Sequence, residues 1–321
     1  MRVDILYTIN SQFKEIMLTS VVSLILNNMD KSIHFHIITS DFSDLDYEYC
    51  KTILNKYPSV SYKFYPLNKK YIESFNIPDW RETQIANARI FFQDLIDLTG
   101  VEKLLYLDAD TIVVSDLKDA FSYSNPINAV LDSCFQRRVH KMNLKEYFNS
   151  GVLLFNVKEW IDEKCQDKVV DFHKKNNHIK LEFPDQDLLN FSLNTQIGKM
   201  SPKFNVGPII LMKEINKLYY RNNIRQINQN DVSECVDNGV IYHAYGLGKV
   251  KPWTDNNTNP FTSEFIEYMK YVDENFEIKE LNGFWKLLDE NKYLFYMVIL
   301  VPNYLPMSIN KALRKVVKKF K

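Results

Sequence analysis

Apolar residues recur along the first hundred positions in two alternating patterns. A continuous run of β-type residues lies at 3–9, and residues 33–39, 60–66 and 103–107 are also predicted to be strands. Apolar positions spaced three and four residues apart predict helices at 13–25, 44–57 and 82–96. Ser43 is the expected N-cap of the second helix. Because strands that alternate with helices form βαβ units, the chain is predicted to be an α/β protein with a mostly parallel sheet.

In the second half of the chain, strands and helices are again predicted, but they alternate less regularly. Strands are predicted at 151–157 and 239–245, and helices at 158–176 and 183–193. A polar stretch at 254–260, "TDNNTNP", has the composition of a linker. It predicts a boundary between a catalytic domain at 1–260 and a C-terminal extension at 261–321.

Composition narrows the class of protein. The 321 residues carry 40 Lys and Arg against 40 Asp and Glu, so the net charge does not favour nucleic-acid binding. Four cysteines without a C-x-x-C pair favour neither a zinc knuckle nor a disulfide framework, and indicate a reducing, cytoplasmic setting. The first residues predict a strand and not a signal peptide. The longest apolar run, at 293–302, is about half of what a membrane-spanning helix needs.

Two carboxylates, Asp108 and Asp110, follow the strand at 103–107. Ligands of parallel α/β sheets bind beyond the carboxyl ends of the strands. Two carboxylates on a turn there can converge on one hard divalent cation. A bare D-x-D triplet is common by chance, however, and Asp44 with Asp46 forms another at a predicted helix start. The motif alone therefore leaves both a metal site and an ordinary turn open.

Four stretches, taken together and in this order, are more specific than the triplet. They are "LLYLDADTIVVSDL" at 104–117, "YFNSGVLLFNVKEW" at 147–160, "FPDQDLLN" at 183–190 and "HAYGLGKVKPW" at 243–253. The chain, over roughly residues 3–253, resembles the retaining nucleotide-sugar transferases of family 8, which include glycogenin and bacterial lipopolysaccharide galactosyltransferases. The resemblance implies a GT-A fold, a single Rossmann-like nucleotide-sugar-binding domain, here followed by a helical C-terminal extension.

The resemblance also implies a metal site and a diphosphate site. Asp108, Asp110 and His243 match the residues that hold Mn²⁺ or Mg²⁺. The family pattern H-x-x-G-x-x-K-P-W includes Gly246 and a lysine that contacts the diphosphate, but this chain has two extra residues. Counting from His243 selects Lys249 and counting back from Pro252 selects Lys251; Lys251 is favoured because the Pro-Trp pair sets the local turn.

Other matched positions are assigned to the nucleotide and the sugar. The predicted nucleotide contacts, besides Gly246 and the lysine, are Thr8, Asn10, Phe13, Arg89 and Ala109. The predicted sugar contacts are Asn149, Asp185 and Gln186, with Gln186 beside the anomeric carbon. Non-functional readings remain: helix packing for Phe13, a solvated helix face for Arg89 and a favourable helix-start charge for Asp185. Because an amide is a poor nucleophile, retention is expected to proceed by front-side attack.

The expected activity is metal-dependent transfer of galactose or glucose from a UDP-sugar to a cell-surface glycan or a lipid-linked glycan precursor. One alternative is a non-catalytic UDP-sugar-binding protein of the same fold. Another is a phosphohydrolase with a D-x-D-G-T motif, although "DADTIV" lacks the glycine.

The C-terminal segment 311–321, "KALRKVVKKFK", contains six basic residues and no acid. Its apolar residues share one helical stripe, which predicts an amphipathic helix on an anionic membrane surface. The enzyme would then be cytoplasmic and peripherally bound to the membrane. A packed helix with a solvated basic face is the alternative.

Overall fold

The computed structural model describes residues 2–79, 83–132, 139, 143–211, 228–245, 251–255 and 259–278. Gly246, Lys249 and the basic segment 311–321 lie outside these described residues.

A seven-stranded sheet forms the centre of the molecule, with strand order β3-β2-β1-β4-β7-β6-β8. A separate two-stranded sheet pairs β5 with β9. The strands are β1 Arg2–Asn10, β2 Ser32–Ser40, β3 Val60–Pro66, β4 Lys103–Leu107, β5 Thr111–Val113, β6 Ile127–Leu131, β7 Phe148–Asn156, β8 Ile197–Lys199 and β9 Ile241–His243.

The mostly parallel sheet is confirmed, with one strand reversed. β1 to β4 run parallel, and β6 and β8 run in the same direction. β7 is antiparallel to both of its neighbours, β4 and β6. The amino end of β7 therefore lies at the same edge of the sheet as the carboxyl ends of β1 and β4.

The central strands are apolar on both sides because helices and loops cover both faces of the sheet. On one face, Leu6 and Tyr106 belong to a core cluster that includes Trp160. On the other face, Tyr7 and Leu105 pack in a cluster with helix α1. This double burial explains why the strand at 103–107 was correctly predicted from an apolar run. The strand at 60–66 was also predicted correctly, but it lies at the edge of the sheet and contains only half-buried and exposed residues.

Ten α-helices and four short 3₁₀ helices complete the described part of the chain. The α-helices are α1 Lys14–Leu26, α2 Asp44–Leu54, α3 Lys69–Glu73, α4 Phe92–Leu95, α5 Val157–Asp162, α6 Cys165–Lys175, α7 Pro184–Leu193, α8 Pro208–Leu211, α9 Gln229–Asn238 and α10 Thr262–Met269. The 3₁₀ helices are Ser11–Phe13, Ile85–Ile90, Lys118–Ser122 and Pro202–Phe204. Ser43 caps α2 in a capping box with Asp46, as the sequence predicts.

Three predicted elements differ from the structure. The helix expected at 82–96 is a 3₁₀ helix, Ile85–Ile90, followed by the single turn α4; every residue of that 3₁₀ helix is buried, so packing and not an amphipathic face sets its backbone. The strand expected at 239–245 is only β9, in the small sheet.

The helix expected at 158–176 breaks at Lys164, which has left-handed backbone (φ 53°). Trp160 and Cys165 are both fully buried. In a continuous helix, residues five apart point about 140° away from each other. The break therefore allows both side chains to enter the core.

Helix α10 packs against α1, although it follows the predicted domain boundary. Thr19 Oγ1 donates to Met269 Sδ at 3.4 Å, and Asn27 Nδ2 donates to Tyr268 Oη at 2.9 Å. The boundary at 260/261 itself stays a prediction. Within the described residues, every helix is too short or too polar to cross a bilayer.

Candidate active site

The end of β4 and the start of β7 form the floor of the site. The backbone N–H of Asp108 donates to the carbonyl oxygen of Gly151 at 2.8 Å. Because β7 is antiparallel, its residues 149–151 lie directly beside the D-x-D turn. Two of the sequence motifs are therefore in contact.

The small sheet brings His243 to the same turn. Thr111 of β5 pairs with His243 of β9, and the N–H of Ala244 donates to the carbonyl oxygen of Asp110 at 2.9 Å. His243 Nε2 lies 3.2 Å from Asp110 Oδ1 and 3.5 Å from Asp108 Oδ2. One ligand atom of each of these three residues lies within 4.8 Å of the other two.

Gly151 leaves room for this cluster. A Cβ atom at position 151 would lie 2.1 Å from His243 Cε1 and 2.8 Å from Asp108 Oδ2. Such distances are far below van der Waals contact, so a side chain here would displace the imidazole or the carboxylate.

The donor set suits a hard divalent cation. Two carboxylates and one imidazole are ligands that Mn²⁺ and Mg²⁺ accept. The Nδ1 atom of His243 lies 2.9 Å from Asn205 Oδ1. With Nδ1 held in this way, Nε2 faces the carboxylates. A hydrogen bond to the other ring nitrogen orients metal-binding histidines in the same manner.

Lys251 adds a positive charge beside the cluster. Its Nζ lies 2.6 Å from Asp110 Oδ2 and also donates to the carbonyl oxygen of Ala244. Of the two lysines that the motif left open, Lys251 is thus within reach of the D-x-D residues, and Lys249 lies outside the described residues.

Arg89 links one carboxylate of the D-x-D turn, Asp108, to one carboxylate of α7, Asp185. Its Nη2 is 3.0 Å from Asp108 Oδ1, and its Nε is 3.3 Å from Asp185 Oδ2. Its guanidinium lies over the ring of Tyr106, 4.3 Å from the centroid. The side chain is buried, so it does not lie on a solvated helix face.

The start of α7 and the start of β7 form the predicted sugar pocket. Ser150 Oγ donates to Asp185 Oδ2 at 2.9 Å, and the N–H of Ser150 donates to Gln186 Oε1 at 3.0 Å. Asn149 Nδ2 donates to Asp132 Oδ2 at 3.1 Å. Asn149, Asp185 and Gln186 are all buried at this edge of the sheet.

The predicted nucleotide contacts follow β1. Thr8 is buried and shares a hydrogen bond of 3.3 Å with Tyr106 Oη. Asn10 Oδ1 is buried, and no residue of the described part of the chain bonds to it. Phe13 ends the 3₁₀ helix before α1 and is 39% exposed, so its ring is accessible for stacking. Ala109 is half-buried on the D-x-D turn.

The charges of the cluster keep both aspartates ionised. Burial alone would raise the pKa of Asp108. Arg89 and His243 outweigh burial, and the pKa of Asp108 lies below its ordinary value. Burial likewise opposes ionisation of Asp110, whereas Lys251 and His243 hold its pKa well below the ordinary value. Burial lowers the pKa of His243, but Asp110 and Asp108 outweigh burial and raise it to about 9. Both carboxylates are thus in the anionic state that cation binding requires.

Three residues of the site were not among the sequence predictions: Asp132, Ser150 and Asn205. Asp132 directly follows the apolar strand β6, as Asp108 follows β4, so the same signal would have found it. Ser150 lies inside the quoted motif "NSG". Asn205 follows a short 3₁₀ helix and carries no sequence signal.

Comparison with known proteins supports the family indicated by these residues. The family model "Glycosyl transferase family 8" matches residues 4–257. General stress protein A of Bacillus subtilis (strain 168) is 28% identical over 204 residues, which cover 60% of this chain and 67% of that protein. A lipopolysaccharide 1,2-glucosyltransferase of Escherichia coli is 29% identical over 252 residues, covering 74% and 68% respectively.

The fold is similar to that of a solved galactosyltransferase. The crystal structure of LgtC in complex with donor and acceptor sugar analogues has a TM-score of 0.69 and 20% identity, and the likeness covers 88% of this chain and 99% of that one. The predicted GT-A fold is confirmed by this likeness. With a family model that spans most of its length, the chain belongs to glycosyltransferase family 8.

Proposed function

We propose that this family 8 glycosyltransferase is a metal-dependent, retaining enzyme that transfers a hexose, galactose or glucose, from a UDP-sugar to a hydroxyl group of a glycan. The observation that carries the proposal is the cluster of Asp108, Asp110 and His243, with Lys251 on one side and the pocket of Asp185 and Gln186 on the other. A cation site next to a polar pocket is the arrangement that transfer from a nucleotide-sugar requires.

The cluster and Lys251 serve the leaving group. A divalent cation, Mn²⁺ or Mg²⁺, held by Asp108, Asp110 and His243 would supply Lewis-acid stabilisation of the departing diphosphate. Lys251 contributes a fixed positive charge beside Asp110. Negative charge develops on the phosphate as the bond to the sugar breaks, so pre-positioned cations lower the barrier.

The nucleotide end of the donor lies along the exit from β1. Phe13 offers an exposed ring for stacking, and Asn10 offers a carbonyl oxygen to which no described residue donates a hydrogen bond. Thr8 lies deeper, next to Tyr106. These contacts bind the uridine. They stabilise the UDP-sugar and the released UDP to the same extent.

The sugar lies against the start of α7. Asp185 accepts hydrogen bonds from hydroxyl groups, and its charge is balanced by Arg89 at 3.3 Å. Gln186 offers an amide, which is a poor nucleophile, so we favour front-side attack. The acceptor oxygen forms its bond to the anomeric carbon as the bond to phosphate breaks, and the leaving phosphate accepts the proton. Gln186 stabilises the positive charge that develops on the sugar.

The acceptor is proposed to be a cell-surface glycan or a lipid-linked glycan precursor. Support comes from the related Escherichia coli protein, which is named for transfer of glucose to lipopolysaccharide. Galactose and glucose differ in the configuration of one hydroxyl group. The residues around Asp185 would distinguish the two sugars by their hydrogen bonds to that group.

Release of UDP from a panel of UDP-sugars, measured with Mn²⁺ and with EDTA, tests the proposal. We expect metal-dependent hydrolysis or transfer with one hexose donor. Asp108→Asn and Asp110→Asn should each lower turnover by at least about 10²-fold, the size of losing one charge-stabilising group. Asp44→Asn, in the exposed D-x-D triplet at the start of α2, is the matched control and should leave turnover unchanged.

Full activity in EDTA would overturn the metal dependence. A product whose anomeric configuration is inverted relative to the donor would overturn the retaining mechanism.

A further inference from the structure

Asn205 lies between the candidate metal ligand and the sugar pocket. It follows the 3₁₀ helix Pro202–Phe204 and is buried. Its Oδ1 lies 2.9 Å from His243 Nδ1, and its Nδ2 donates to Asn149 Oδ1 at 2.8 Å. A single side chain therefore touches both halves of the site.

One backbone group determines the direction of these hydrogen bonds. The N–H of Gly151 donates to Asn149 Oδ1 at 2.9 Å, and a backbone N–H can only donate. That bond orients the Asn149 amide with its oxygen toward Gly151 and Asn205. Asn205 must then present its NH₂ to Asn149 and its oxygen to His243, so His243 Nδ1 is the donor of the last bond.

The orientation has a consequence for the metal. If Nδ1 carries the proton, Nε2 of the neutral imidazole carries the lone pair, and Nε2 is the atom that faces Asp108 and Asp110. A hydrogen-bond partner of the other ring nitrogen selects the tautomer and the ring angle of a metal-binding histidine.

The same chain extends to the reacting end of the sugar. Asn149 Nδ2 donates to Asp132 Oδ2 at 3.1 Å, and Gln186 Nε2 donates to the same oxygen at 3.4 Å. All four of these residues, Asn149, Asp132, Gln186 and Asn205, are buried, which makes an unpaired group costly.

We propose that Asn205 is a positioning residue that selects the metal-binding tautomer of His243 and aligns the sugar-binding amide of Asn149, thereby coupling the metal site to the sugar site. This role rests on the proposed metal-dependent transfer. If Asn205 only filled a polar gap, a substitution that keeps one of its two hydrogen bonds and a substitution that loses both would have the same effect on Mn²⁺ affinity and on kcat.

Two substitutions separate the bonds. Asn205→Ala removes both of them. Asn205→Asp is nearly isosteric and keeps an acceptor for His243 Nδ1, but it loses the donor to Asn149. Asn128→Ala is the control, because Asn128 is an equally buried amide in β6 whose hydrogen bonds go to backbone groups of Asn125 and Leu154.

Mn²⁺ binding in the presence of UDP, measured from the electron paramagnetic resonance signal of free Mn²⁺, is the readout independent of turnover. We expect Asn205→Ala to bind Mn²⁺ about 10–100-fold more weakly than wild type, the usual effect of losing such a partner. Asn205→Asp should bind Mn²⁺ at least as tightly as wild type, yet lose about tenfold or more in kcat with little change in UDP affinity. Asn128→Ala should match wild type in Mn²⁺ affinity.

Unchanged Mn²⁺ affinity in Asn205→Ala would overturn the role of Asn205 while leaving the proposed function intact. Equal behaviour of the Ala and Asp variants, or a wild-type kcat in Asn205→Asp, would likewise overturn the coupling. Absence of Mn²⁺ binding by the wild-type protein would instead overturn the proposed function and this role with it.

Discussion

At the scale of single residues, the candidate site has two sides: a charged cluster that we propose holds the leaving group, and a polar pocket that we propose holds the sugar. Asp110 contacts His243 and Lys251. In the described part of the chain, the side chain of Gln186 instead forms its hydrogen bonds with Ser150 and Asp132. This separation predicts that substitutions on the two sides change different kinetic constants.

Gln186→Ala should lower kcat far more than it weakens UDP binding. Gln186 does not lie at the nucleotide end, and an interaction made mainly in the transition state appears in kcat. Steady-state kinetics together with calorimetric titration of UDP and Mn²⁺ measure the two effects separately. A loss of UDP affinity as large as the loss of kcat would show that Gln186 serves binding instead.

Gly151→Ala should abolish tight Mn²⁺ binding, because the added Cβ would lie 2.1 Å from His243 Cε1. Gly198→Ala is the matched control: its Cβ would lie 2.2 Å from Asn128 Oδ1, so it also creates a clash, but away from the metal cluster. Both variants are expected to lower the melting temperature. Wild-type Mn²⁺ affinity in Gly151→Ala would contradict the close packing of the cluster.

At the scale of elements, helix α10 packs against the part of the chain that carries the candidate site. Phe265 is 1% exposed, and its ring lies 5.3 Å from that of Trp253. Trp253 in turn lies near Lys251, 5.6 Å from ring centroid to Nζ. The packing of α10 thus supports the turn that carries the active-site lysine.

Phe265→Ala should reduce the free energy of unfolding by about 3–5 kcal/mol, the usual range for a large buried aromatic residue. The removed ring leaves a cavity under Trp253, so Lys251 is held less firmly and turnover should fall as well. Urea denaturation measures the first effect and UDP release the second. Tyr271→Ala, which truncates an exposed aromatic residue just after α10, is the control and should change stability little.

A change in stability below about 1 kcal/mol for Phe265→Ala would show that α10 is a peripheral attachment. That result would support the domain boundary that the polar composition of residues 254–260 predicts at 260/261, because the residues after it would contribute little to stability.

At the scale of the whole molecule, the basic segment 311–321 sets an expectation about where the enzyme works. Its six basic residues are worth at most about 6 kcal/mol near an anionic leaflet, at roughly 1 kcal/mol each, before screening by salt. That energy is enough for reversible attachment and would bring the active site close to a lipid-linked acceptor.

Deletion of residues 311–321 should abolish sedimentation with anionic vesicles and leave hydrolysis of the UDP-sugar intact. Hydrolysis should persist because the segment lies outside the family match at 4–257. Vesicle binding should be lost because the deletion removes the six clustered basic residues. Vesicles of neutral lipid, and anionic vesicles at high salt, are the controls. Vesicle binding that survives the deletion would contradict an electrostatic anchor.

Features that depend on neighbouring residues were predictable from the amino-acid sequence. The strand Lys103–Leu107 was predicted with its observed bounds because its apolar run reflects burial on both faces. The strand Val60–Pro66 was predicted with its observed bounds because aromatic and β-branched residues favour a strand. The Ser43 cap was predicted because a cap contacts only the next few residues. The order of the four motifs indicated the family and the identity of the D-x-D residues.

Features that depend on pairing between distant segments became evident only in the folded chain. The reversed direction of β7 brings Gly151 beside Asp108, and the pairing of β5 with β9 brings His243 to the same turn. The left-handed break at Lys164 and the bonds of Asn205 have no local signal, because they satisfy packing and hydrogen-bonding demands set by residues far away in the chain. Local periodicity reports the burial of a segment, but contacts between segments become defined only when the core assembles.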